Sequence, residues 1–143
     1  MSDPVVDGWK PKGCLWMWRH TEKLCHWNLR VDDAACEGLR ALLGLMRDAR
    51  WPSKKILRVS RPTAPLLNLP TVYADEFAIQ YAKGQAPDDL WSLKVVGARV
   101  ELHLGLARLR QFSDALETVA GGVDDFAIGT DEEPLWLWSR QVL

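Results

Sequence analysis

Polar and apolar residues alternate most cleanly over residues 91–104, where Trp91-Ser-Leu-Lys-Val-Val-Gly97-Ala98-Arg-Val-Glu-Leu-His-Leu104 folds on itself about Gly97-Ala98. A Gly at the first of two turn positions suits a type II′ hairpin, because that position needs a positive φ. Opposite one another then stand Trp91 and Leu104, Leu93 and Leu102, and Val95 and Val100, which form an apolar face. The reverse face pairs Ser92 with His103 and Lys94 with Glu101. A slip of one residue would bury the charged set, so the register is strongly specified. Val95 and Val100 are therefore expected to look inward together.

The pattern then changes period. Leu106, Leu109, Phe112 or Leu116, and Val119 recur at helical spacing, and Gly121-Gly122 supplies a helix stop. An earlier stripe, Ala35, Leu39, Leu42, Leu43 and Met46, predicts a helix capped by Asp32 or Asp33 and running to about Ala49, before Trp51-Pro52. Ahead of it, residues 14–29 read as a hairpin turning near Thr21-Glu22. Trp16 would face Trp27, Trp18 would face Cys25, and Cys14 would face Leu29, giving a tryptophan-rich inner face. Short strands are expected at Ile56–Val59, Phe126–Ile128 and Leu135–Trp138. Residues 72–83 fit either a strand or a short helix, and 84–89 a turn. Residues 1–13, with Pro4, Gly8, Pro11 and Gly13, read as an irregular lead-in onto which Trp9 can dock. Residues 60–72, with Pro62, Pro65 and Pro70 among leucines, read as an apolar loop packed on the domain.

Hairpin, helix, strand is thus followed by hairpin, helix, strand. The element order predicts a single α+β domain over 1–143, with a mostly antiparallel sheet built from two such halves and two main helices on one face. No residue-level identity relates the halves.

Length and composition leave this picture standing. At 143 residues, 48% hydrophobic and 26% charged, the chain has ordinary globular usage. No apolar run approaches a membrane span, and the start Met1-Ser-Asp-Pro4 carries no signal-like segment, so a cytoplasmic location is expected. Three cysteines without such a signal fit reduced thiols. In a regular hairpin Cys14 and Cys25 would lie too far apart for a disulfide.

Charge is unevenly placed, although the net value is only −1. Residues 19–61 hold ten Lys or Arg against five Asp or Glu, and residues 111–139 hold seven acids and no base. Asp124, Asp125, Asp131, Glu132 and Glu133 are therefore the candidate partner surface, for a basic protein or for another copy of the chain. Lys54, Lys55, Arg58 and Arg61 beside Trp51 form the basic cluster. Strand alternation would split it between faces, so nucleic-acid binding is not expected.

Recognisable chemistry is scarce. There is no phosphate-binding glycine loop, nucleophile elbow or zinc spacing. Only Ser92 gains a histidine neighbour, His103, and a third orienting group and an oxyanion site are missing. No cofactor or metal site is predicted, and no catalytic residue is assigned. Eight tryptophans are the compositional oddity, and they raise a second reading: a small-ligand carrier or enzyme with a Trp-lined pocket.

The ending Gly122-Val-Asp-Asp-Phe-Ala-Ile-Gly129, followed by Leu135-Trp-Leu-Trp138, resembles the close of small uncharacterised bacterial proteins that finish in a helix, a Gly-x-Asp-Phe-x-Ile turn and a Trp-rich strand. The resemblance covers about the last forty residues. It implies an α+β build like that of the immunity partners of bacterial toxins, and it assigns no site residue. The leading expectation is a small protein–protein interaction module.

Overall fold

The computed structural model describes residues 3–21, 26–61, 71–122 and 126–138. Among them run α1 (Pro4–Gly8), β1 (Leu15–His20), β2 (Trp27–Val31), α2 (Asp33–Asp48), β3 (Ser53–Arg58) and β4 (Thr71–Tyr73). These are followed by β5 (Glu76–Tyr81), β6 (Trp91–Val96), β7 (Arg99–Leu104), α3 (Leu106–Ala120), β8 (Phe126–Gly129) and β9 (Pro134–Trp138). The fold is α+β and mostly antiparallel, as the element order predicts. The strands form two sheets, A in the order β4-β1-β2-β9-β8 and B in the order β3-β5-β7-β6. Each sheet has one parallel pairing, β2 with β9 and β5 with β7.

Each hairpin is continued by a helix that carries the chain into the other sheet. From β1-β2 in sheet A the chain passes through α2 to β3 in sheet B, and from β6-β7 in sheet B through α3 to β8 in sheet A. The halves β1-β2-α2-β3-β5 and β6-β7-α3-β8-β9 therefore repeat one topology. The repeat extends to the buried helix positions. Cys36, Leu39, Leu42, Leu43 and Met46 of α2 recur 73 residues later as Leu109, Phe112, Ala115, Leu116 and Val119 of α3. The two stripes pack on each other, with the Cys36 thiol donating to the Leu116 carbonyl at 3.1 Å. Burial raises the Cys36 pKa, so its thiol stays protonated. α2 touches β2, α3 touches β8 and β9, and Phe112 reaches across to Phe77 of β5.

The second hairpin has the expected register throughout, with Gly97 at φ +62 in the turn. Val100 is buried, but Val95 is 55% exposed. The reason is position. β7 lies between β5 and β6, whereas β6 is an edge strand whose turn end runs past the core.

The first hairpin corrects the expectation. Leu15 faces Val31, Met17 faces Leu29, Trp16 faces Arg30 and Trp18 faces Asn28. Compared with the expected pairing, the register has moved by three residues, an odd number, so β1 presents its opposite face to the core. Thr21-Glu22 is not a favoured tight turn, and β2 does not begin until Trp27. Leu15, Met17, Leu29 and Val31 fill the core, and Trp16 and Trp18 turn outward. Cys25 lies outside the described residues, as do 62–70 of the proline-rich loop.

The lead-in is also more ordered than expected. Asp3 caps α1, its Oδ1 accepting the amides of Val5 and Val6, and its Oδ2 accepts the Arg50 amide just past α2. Val6 is fully buried, and Trp9 packs against the core. Residues 76–81 are a strand, and the neighbouring β4 bends away from it at Ala74-Asp75 to join sheet A. No helix among the described residues is long and apolar enough to cross a membrane.

Candidate functional site

Alternation along sheet A sorts its side chains into a core face of aliphatic residues and an outer face rich in aromatic ones. The outer face has two cross-strand rows. One runs Trp16, Arg30, Trp138, and the other Tyr73, Trp18, Asn28, Trp136, Ala127. Four of the eight tryptophans thus share a surface directed away from the helices. Trp18 and Asn28, in the middle, are buried, while Trp16, Arg30, Trp136, Trp138 and Tyr73 are half-buried.

Polar contacts hold this layer in place. The Arg30 guanidinium lies over the Trp16 ring, 4.5 Å from its centroid. Burial lowers the Arg30 pKa, and Asp32 partly offsets that shift. The Trp138 indole donates to Asn28 Oδ1 at 2.8 Å, and Asn28 Nδ2 donates to the carbonyls of Trp18 and His26 at 3.3 and 3.0 Å. His20, buried beside Trp18, shares a 3.2 Å hydrogen bond with Thr71 of β4. Arg61 stacks over Tyr73 at 5.4 Å and pairs with Asp75. Such a layer combines indole rings with a guanidinium and an amide. These are the residue types that carry energy at recognition surfaces.

The corresponding face of sheet B is built differently. By topology Trp16 and Trp18 correspond to Ser92 and Lys94, Asn28 and Arg30 to Glu101 and His103, and Trp136 and Trp138 to Ala78 and Gln80. Glu101 is the centre there. It pairs with Lys54 at 3.3 Å, Arg99 at 3.4 Å and His103 at 3.6 Å, and Arg99 also holds Glu76 at 3.1 Å. The bond from Lys54 is the main cause of a Glu101 pKa below the ordinary carboxylate value. His103 stands opposite Ser92 in the ladder, but its close polar neighbour is Glu101.

The five acidic candidates separate. Asp131 and Glu132 are exposed in the turn between β8 and β9. Glu133 is half-buried and structural. Its Oε2 accepts the Leu93 amide at 3.1 Å, its carbonyl accepts the Trp91 indole N–H at 2.6 Å, and its own amide donates to Thr130 Oγ1 at 3.0 Å. Asp124 and Asp125 lie outside the described residues. The basic cluster is dispersed, as alternation predicts. Lys54 serves Glu101, Lys55 donates to the Asp7 carbonyl at 2.9 Å, and Arg61 serves Asp75. Among the described residues no three His, Cys, Asp or Glu side chains converge as a metal site would require.

Sequence reasoning missed Arg30 and Asn28. A strand of Trp27-Asn-Leu-Arg-Val31 already places both on one face opposite the aliphatic residues, and that alternation was the available signal. Comparison of the chain with protein-family models, with curated proteins and with solved structures finds no match.

Proposed function

We propose that this chain is a protein-binding module working in the cytoplasm, and that the outer face of sheet A is its recognition surface. One observation carries the reading: the same topology occurs in sheet B without an aromatic layer. Sheet B repeats the same topology with Ser92, Lys94, Ala78 and Gln80 at the corresponding positions. An aromatic layer present on one sheet only, set around Arg30 and Asn28, fits a desolvated interface centre. The exposed Asp131 and Glu132, in the turn leading into β9, give it an acidic rim suited to a partner with basic residues. An immunity-type role, inhibiting a toxin by occupying it, is one form this binding can take.

A photo-crosslinking residue placed at Trp136, and separately at Arg58 on the other sheet, tests the reading in cells. A discrete protein adduct from position 136 alone is expected. Equal adducts from both positions, or none from 136, refute it. Tryptophan fluorescence that shifts with a small metabolite, in place of any adduct, would favour the Trp-lined ligand site instead.

A further inference from the structure

Trp16, Tyr73, Trp138 and Trp136 are half-buried rings of the outer face of sheet A, and the chain itself engages three of them. Arg30 lies over Trp16, Arg61 lies over Tyr73, and the Trp138 indole donates to Asn28. Trp136 makes no such contact. Among the described residues no cation lies over its ring and its N–H meets no acceptor. Opposite it on β8 stands Ala127, which is exposed and carries only a methyl group.

Trp136 is also the ring of that set closest along the chain to the acidic turn. Pro134, opposite Gly129, stands two residues before it on the same face, about 7 Å away along β9, and the turn lies just beyond. Glu133 is held by the Leu93 amide. Asp131 and Glu132 are exposed, and among the described residues neither pairs with a base. The α3 guanidinium that comes near, Arg108, is taken up by the carbonyls of Gly129 and Asp89 and by Gln111. Residues 111–139 supply no Lys or Arg of their own.

An indole beside two carboxylates is the chemistry of a cation site. The ring attracts a cation through its quadrupole, and the carboxylates pair with it. Guanidinium suits both best, because it stacks flat on a ring while its edge donates to a carboxylate. Resting on the reading of this face as the recognition surface, we infer that it takes an extended, arginine-bearing segment of a partner protein. One guanidinium stacks on Trp136, and a second, two residues along the segment, pairs with Asp131 and Glu132. Alternate residues of an extended chain are about 7 Å apart, the same step that separates Trp136 from Pro134 at the turn. An acidic segment would meet like charge here, and an apolar one would desolvate the two carboxylates without a partner.

Titration of the full chain with a blocked Arg-Ser-Arg-Ser-Arg peptide, followed at the indole N–H signals by NMR, tests this. Trp136→Phe identifies the signal to watch. A saturable shift of that signal is expected, with an affinity that falls as salt rises. Reversing both exposed acids, Asp131→Lys with Glu132→Lys, should weaken binding at least about tenfold, and Trp136→Leu should do the same. Glu37→Lys, at an exposed acid of α2, is the control and should bind as the parent does. In cells, a photo-crosslinking residue at Ala127 leaves Trp136 in place. It should trap a partner segment with Arg or Lys at alternate positions, and trap nothing once both acids are reversed. No shift at Trp136, an equal shift with Glu-Ser-Glu-Ser-Glu, or binding that survives the charge reversal overturns the inference. An adduct mapping to a segment without such bases overturns it too, and leaves the sheet A face standing as a recognition surface.

Discussion

Replacing Glu133 by Ala removes an acceptor that holds two sheets together at one edge. The Glu133 carboxylate belongs to the β8–β9 turn of sheet A, and the Leu93 amide it accepts belongs to β6 of sheet B. A hydrogen bond to a charged partner contributes about 1.5–3 kcal/mol where it is well buried. Glu133 is half-buried, and water can reach the freed Leu93 amide at the sheet edge, so the loss should fall to ~1–1.5 kcal/mol. The Trp91 indole bond goes to the Glu133 main-chain carbonyl and survives the substitution. For a chain of this size such a loss lowers Tm by ~3–5 °C. Glu133→Gln keeps an acceptor oxygen and should cost only ~0.5 kcal/mol. Thermal and urea unfolding measure both, and hydrogen exchange at Leu93 should quicken in the Ala variant. Asp131→Ala and Glu132→Ala, exposed in the same turn, should stay within ~0.5 kcal/mol of the parent. Were Glu133→Ala to melt with the parent, or Asp131→Ala to match it, the structural role given to Glu133 would be wrong.

Two further outcomes follow from the core and from sheet B. Leu43 and Leu116 hold corresponding, fully buried places in the two helix stripes, so Leu43→Ala and Leu116→Ala should each lose ~2–5 kcal/mol in urea unfolding. A loss below ~1 kcal/mol from either would remove that residue from the centre of the core. Glu101 has a folded pKa below its unfolded value, so its stabilisation is present above the unfolded pKa of ~4.3 and disappears as pH falls through the folded one. Glu101→Gln should therefore melt below the parent at neutral pH, with the gap closing on acidification toward pH ~3. A gap that stays constant over that range would refute the link.

How much could be read from the chain depended on whether local pattern fixed strand parity. The β6-β7 hairpin was legible in full, because Gly97-Ala98 sets the turn and each opposite pair agrees on its face. β1 was not. Leu15, Trp16, Met17 and Trp18 are all apolar, so alternation cannot choose between faces, and the connection to β2 is not a two-residue turn. The helices were legible from their stripes. That the strands divide into two sheets was not, because β2 meets β9 and β3 meets β5 through contacts distant in sequence. For the same reason acidity alone could not separate Glu133 from Asp131 and Glu132. Its role is set by Leu93, forty residues earlier.

The parity of β1 also decides what the outer face of sheet A carries. Facing the helices, Trp16 and Trp18 would be explained by the area they bury in the core. Turned outward, they join Trp136 and Trp138 across Asn28 and Arg30. The core beneath is lined by Leu15, Met17, Leu29, Leu135 and Leu137, each at most 7% exposed, while Trp18 is buried on the opposite side of the sheet. Sheet B shows the same topology wearing an ionic face centred on Glu101. The same topology therefore accepts an aromatic face in one half and small or charged residues in the other. Burial thus accounts for the aliphatic side of sheet A, and the aromatic side is where the proposed recognition surface lies.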